Sequence, residues 1–384
     1  MIPLTIPALT KDMEEAAIYS LNNDMLVGGE SVHKFEDEFA RYIGTDYAVA
    51  VNSGSSALLL TFYSLGIKPS EKVVAPSATF VATINGSSVL GGIPVFCDIG
   101  DDYLISLKSL EQAIKSNNDV KYVVPVHLYG HPCDMDAIKH LVQNKGIAIV
   151  EDAAQAHGAK CTGKRVGSIG EAAIFSFYPT KNMTVCGDGG MITTNDKKIH
   201  ESVMKMRDVG RLTKYTHDKI GYTMRLNSVN AAIGKVQLRY LDEWNQKRRS
   251  LAKRYHDKLK GIRDLVLPPE SNSSSNESVY HMYVIKTEKR DALGAWLSMN
   301  EVSTGVHYPI PVHRQPAYQE YQNSVELSFT DQWSNTVLSI PIYPGLDFRD
   351  QEHIISMIEQ FYYQRLYESE KVKEAQQEWS KKLA

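Results

Sequence analysis

Short apolar runs alternate with helical patterns through the first half of the chain, and that alternation limits the folds open to it. YAVAV (Tyr47–Val51), KVVAP from Lys72, IPVFC from Ile93, YVVPV from Tyr122, IAIV (Ile147–Val150) and AAIFSF (Ala172–Phe177) are of strand length. The segments LKSLEQAI and MDAIKHLVQ between them carry helical spacing, and VHKFEDEFARYIG places Val32, Phe35, Phe39 and Ile43 on one helical face. Strands alternating with helices predict a mostly parallel sheet with right-handed crossovers and helices packed on it. Ligands of such sheets sit at the carboxyl ends of the strands. At 384 residues the chain is too long for one ordinary core. The expectation is a large domain with an N-terminal arm over 1–240 and a smaller α+β domain with a helical tail over 241–384. The charged segment DEWNQKRRSLAKRYHDKLKG is the predicted helical link between them.

Composition excludes several function classes. A net charge of −3 gives no electrostatic footprint for nucleic acid or an anionic membrane. The apolar runs fall far short of the roughly 20 residues a bilayer span needs. The start, MIPLTIPALTKDMEE, brings acids at once and has no basic segment, so no signal peptide is expected. Cys97, Cys133, Cys161 and Cys186 show no CxxC spacing or disulfide framework, which fits reduced thiols in a cytoplasmic protein.

The chemistry concentrates between Val150 and Asp196. One apolar strand delivers Glu151 and Asp152 to its end, and the next runs through YPTKN to Lys181. A glycine cluster (Gly187, Gly189, Gly190) and a short strand MITT follow. A carboxylate at one strand end and a lysine just past the next suit pyridoxal phosphate (PLP), whose aldehyde condenses with a lysine and whose ring nitrogen is kept protonated by a carboxylate. Side chains alternate along a strand, so only one of Glu151 and Asp152 can face such a ligand. Upstream, YAVAV runs into NSGSSALLL, where small residues at a helix start leave N–H groups for an anion or simply form an N-cap. His127, His131, Cys133 and His140 cluster in sequence, but their spacing matches no zinc pattern and no metal site is expected. GKRVG is not a Walker loop, and GDGG does not follow the dinucleotide fingerprint.

These motifs, in this order, resemble the DegT/StrS group of sugar aminotransferases, which are fold-type I PLP enzymes. The similarity runs from IPLTIPAL at the start to LSIPIYPGL near Pro344. It implies that Lys181 is the Schiff-base lysine, that Asp152 rather than Glu151 meets the pyridine nitrogen, and that Gln155 lies near the phenolic oxygen. It places Gly54, Ser55, Ser56 and Ser176 around the phosphate, with Ser55 in place of the usual threonine, and stacks Phe80 on the ring. The VHLYG strand end would bring His127 near the cofactor. His307, Tyr308 and His313, in STGVHYPIPVHRQPAY, are the substrate-side candidates. In the family a loop of the form G-[Y/F]-N-x-R reaches the partner's phosphate. Here Thr223 stands where the asparagine does and Arg225 matches the arginine, so the contact residue stays open between them. The smallest active unit implied is a homodimer with shared active sites.

The implied reaction moves an amino group from glutamate or glutamine to a nucleotide-linked keto sugar. SFYP and GDGG resemble members acting at C3, while NAAIG echoes those acting at C4, and the balance leans to C3. Relatives that dehydrate sugars carry histidine in place of the lysine, so Lys181 argues against that chemistry. The rival class is a regulatory or ligand-sensing protein on the same fold, which would not need the Lys181, Asp152 and Gln155 set. No function is assigned to the charged tail from Glu368.

Overall fold

Seven strands build one sheet, in the order β1-β9-β8-β5-β4-β2-β3. The strands are β1 (Tyr47–Val51), β2 (Lys72–Pro76), β3 (Ile93–Cys97), β4 (Val120–Val123), β5 (Ala148–Asp152), β8 (Ala172–Ser176) and β9 (Gly190–Thr194). A two-residue hairpin, β6 (Lys160–Cys161) with β7 (Lys164–Arg165), stands outside it. β9 pairs antiparallel with both β1 and β8, and all other pairings in the sheet are parallel. This computed structural model describes residues 1–117, 119–270, 276–321 and 326–381; most of the polar segment ESNSSSNES, a loop by its composition, at 270–278, lies outside the described residues.

Alternation along the strands separates two cores. Ala48, Ala50, Ile149, Ala173 and Phe175 face one side with Phe35 and Phe39 of the helix Glu30–Ile43. Val49, Val51, Val150, Ile174 and Ile192 face the other with Leu58 and Phe62 of the helix Gly54–Leu65. A sheet buried on both faces requires continuous apolar runs, which is how these strands read.

The linking helix is longer than the charged segment implied. It runs Ser228–Leu259, is capped by the Asn227 side chain on the Asn230 N–H, and begins two residues before NAAIG. The expected division after residue 240 falls inside it. Beyond it, β10 (Tyr283–Lys286) pairs antiparallel with β11 (Val337–Ile340), beside the helices Arg290–Met299 and Phe348–Tyr363. The N-terminal arm joins this region, since Ile2 bridges Val302 in parallel and its carbonyl accepts from the Ser303 N–H at 2.9 Å. The tail forms the helix Glu370–Lys381, with Val372 and Trp379 buried. Among the described residues no helix is long and apolar enough to cross a membrane.

Candidate active site

The carboxyl ends of β1, β5 and β8 meet the start of the antiparallel β9 at one edge of the sheet, and a cavity of about 470 Å³ opens there. Asp152 closes β5, Ser176 closes β8, and the turn after β8 brings Lys181 back over this edge, its N–H donating to the Tyr178 carbonyl at 2.8 Å. All three line the cavity.

Asp152 is buried on the same face as Val150, and its Oδ2 accepts from the Thr83 hydroxyl at 2.7 Å while Oδ1 accepts from the Ala154 N–H at 3.1 Å. Burial pushes its carboxyl above the ordinary value despite these bonds. Burial likewise lowers the Lys181 amine to about 8, with the Asp152 carboxylate pulling in the opposite direction. A neutral amine is therefore accessible near neutral pH, which a nucleophile or proton carrier requires.

The helix Gly54–Leu65 points its start at the same cavity. Ser53 is its N-cap, accepting from the Ser56 N–H at 3.1 Å, so the first N–H groups left without intrahelical partners belong to Gly54 and Ser55, both on the cavity wall. Close approach explains two glycines. A Cβ on Gly54 would lie 3.0 Å from Ser176 Cβ, and one on Gly190 would lie 2.4 Å from the Ser53 carbonyl oxygen. Together they let the helix start, the end of β8 and the start of β9 crowd together, beside N–H groups that suit an anion.

On another wall, Gln155 Oε1 accepts from the Tyr129 N–H at 2.7 Å, which turns its amide NH₂ toward the cavity and the Tyr308 hydroxyl, 3.3 Å away. Phe80, half exposed, tilts over Tyr308 with ring centroids 5.5 Å apart. His307 sits beside them, its Nδ1 2.9 Å from Ser339 Oγ, and burial helped by the Lys181 charge lowers it to about 4. It is therefore neutral at physiological pH.

The structure places several of the expected residues away from the cavity wall. His127 does not approach this cavity. Its Nδ1 accepts from the Cys133 N–H at 3.0 Å and its Nε2 faces Glu151 Oε2 at 3.1 Å, on the opposite face of the sheet. His313 also lies off the cavity wall, with Nδ1 on Ser77 Oγ at 2.6 Å and Nε2 3.4 Å from Asp331. Ser56 spends its N–H on the cap and does not line the cavity, whereas Ser53 does. Arg225 pairs with Asp208 at 2.7 Å outside the wall, and Thr223 is exposed. The sequence reading missed Thr83, which no local pattern marks because its link to Asp152 is tertiary, and Ser53, which its place before Gly54 could have signalled.

Residues 7–359 match the DegT/DnrJ/EryC1/StrS aminotransferase family. The dTDP-3-amino-3,4,6-trideoxy-alpha-D-glucose transaminase of Streptomyces venezuelae is 37% identical over 92% of this chain and 93% of its own. The dTDP-3-amino-3,6-dideoxy-alpha-D-galactopyranose transaminase of Aneurinibacillus thermoaerophilus is 36% identical over 92% of this chain and 96% of its own. The crystal structure of NtdA from Bacillus subtilis with bound cofactor PMP superposes with a TM-score of 0.85 at 28% identity, covering 92% of this chain and 83% of that one.

Proposed function

Because the chain belongs to the DegT/DnrJ/EryC1/StrS aminotransferase family, and is a PLP-dependent transaminase, we propose that it carries an amino group from glutamate or glutamine to a nucleotide-linked 3-keto sugar. The observation that carries this reading is the meeting of the Lys181 amine, the buried Asp152 carboxylate, the Gln155 amide and a free helix N-terminus around one cavity. The names of the two relatives above, both 3-amino-sugar transaminases, support the C3 choice over C4.

The residues present fit PLP. The close packing that Gly54 and Gly190 allow sets the helix start against the end of β8, so the Gly54 and Ser55 N–H groups and the Ser176 hydroxyl on the cavity wall would hold a phosphate together. Ser56 supports that corner through the cap. Bound there, the cofactor supplies an aldehyde that exchanges amines and a ring that draws negative charge from the substrate carbon. Asp152 would keep the proton on the ring nitrogen, with Thr83 orienting its carboxylate. The Gln155 NH₂ would donate to the phenolic oxygen, and Phe80 would cover one face of the ring. The Lys181 amine would hold the cofactor and would carry the proton to and from the substrate carbon, a role worth about 10²–10⁴-fold in rate. His307 and Tyr308 would orient the sugar.

The proposal includes a cytoplasmic homodimer of two-domain subunits, with the helix Ser228–Leu259 running between the domains. Leu212, Tyr215 and Ile220, on the loop leading to Thr223 and Arg225, are 56%, 83% and 91% exposed. Apolar exposure on that scale fits a surface covered by a second copy, which would bring Thr223 or Arg225 to the partner's phosphate.

The absorption spectrum of purified protein tests the reading. A visible band that shifts on adding glutamate and is missing from Lys181→Ala is the expected result. Protein that stays colourless after PLP is added overturns it. Incubating the aminated enzyme with 3-keto and 4-keto nucleotide sugars then tests the ring position.

A further inference from the structure

A second, smaller cavity of about 60 Å³ adjoins the first, sharing Thr180, Met282 and His307 with it, and His281 is on its wall with Leu4 and Thr5 of the N-terminal arm. His281 is buried, and its Nδ1 lies 3.2 Å from Asn182 Oδ1. The orientation of that amide is fixed, because Asn182 Nδ2 donates to the Val279 carbonyl and to Asn245 Oδ1, each at 3.0 Å. Asn182 Oδ1 is therefore an acceptor, and His281 must carry its proton on Nδ1. That leaves Nε2 as a bare acceptor, buried and without a partner among the described residues.

A buried acceptor left without a hydrogen bond keeps the cost of its lost hydration. The cavity beside it has several times the roughly 10–15 Å³ that one water needs, and Thr5, Thr180 and His307 offer further polar groups. Burial, with the charges of Lys181 and Arg248, holds His281 well below its ordinary pKa, so protonation does not fill the vacant position.

We propose that His281 is a positioning residue for Lys181, fixing the adjacent Asn182 through one ring nitrogen and holding a water in the small cavity through the other. The inference rests on Lys181 being the reactive amine. His281 takes no part in bond making. It sets where the lysine stands, and a misplacement of that amine by about 1 Å is enough to cost on the order of 10²-fold in rate.

The test compares wild type, His281→Phe, His281→Gln and Lys181→Ala. In cofactor-free protein, the pH midpoint for reductive methylation of Lys181 is read by peptide mass spectrometry. In loaded protein, kcat and KM are measured separately. His281→Phe is expected to move the midpoint by about half a unit or more and to lower kcat about tenfold or more with KM within about twofold. His281→Gln keeps a donor for Asn182 and an acceptor for the water, and is expected to restore most of both. A lowered melting temperature with midpoint and kcat unchanged would mean packing alone and overturn the proposal. Should His281→Phe fail to fold, Asn182→Ser probes the same link, and an unmoved midpoint there overturns it too. If Lys181→Ala keeps the visible band and the glutamate response, the assignment of Lys181 itself fails and takes the proposal with it.

Discussion

Glu151 and Asp152 are consecutive on β5, yet their carboxylates serve opposite faces of the sheet. Asp152 faces the cavity with one hydroxyl and one N–H for partners. Glu151 faces away and accepts from the N–H groups of Gly167, Ile169 and Gly170 at 2.7–2.8 Å, with His127 as a fourth partner. Four donors hold the Glu151 carboxylate below its ordinary pKa against the cost of burial.

The two acids should therefore fail differently. Glu151→Gln turns an NH₂ toward a backbone donor and should cost about 1–3 kcal/mol of stability, with kcat of the folded protein within a few fold. Asp152→Asn should fold normally and lower kcat by about 10²–10³-fold. Urea titration paired with steady-state kinetics separates the two.

The Lys181 amine titrates at about 8 in the folded chain against an ordinary 10.5. Between those values the unfolded chain holds a proton that the folded chain lacks, so the stability of cofactor-free protein should rise with pH across that window. Below about 8 both states are protonated and the effect levels off. Lys181→Met should remove this rise. Urea titrations across the window check it.

Gly54→Ala should weaken cofactor affinity about tenfold or more with little loss of stability, because the new methyl would sit 3.0 Å from Ser176 Cβ in the phosphate corner. Equilibrium dialysis of PLP against both proteins reads this directly. An unchanged affinity would place the phosphate elsewhere.

Thr83→Val keeps the shape and removes the hydroxyl that donates to Asp152 at 2.7 Å. The Asp152 carboxyl should then rise further, since burial is the largest effect on it and the Thr83 bond opposes it. The acid limb of the kcat profile should move to higher pH.

The tail helix lies beyond the family match, which ends at residue 359. Trp379 packs so closely on the helix Arg290–Met299 that a Cβ on Gly294 would be 2.4 Å from its ring. Trp379→Ala should cost about 3–5 kcal/mol without lowering kcat, which thermal melts and kinetics together would show.

Sequence alone determined the alternation of strands and helices, the mostly parallel sheet, and the arrival of Asp152, Ser176 and Lys181 at strand ends. These follow from local patterns. YAVAV is the strand Tyr47–Val51 because a run buried on both faces must be apolar throughout, and Val32, Phe35, Phe39 and Ile43 are all buried because their spacing follows the helical turn. The tertiary structure decided which of two neighbouring acids faces the cavity. It also took His127 and His313 away from the cavity and brought Thr83 onto Asp152 from 69 residues away. The physical reason is range. Alternation says that Glu151 and Asp152 point apart, but the packed helices decide which side of the sheet is left open. A histidine's partner, such as Ser77 for His313 across 236 residues, exists only once the chain has closed.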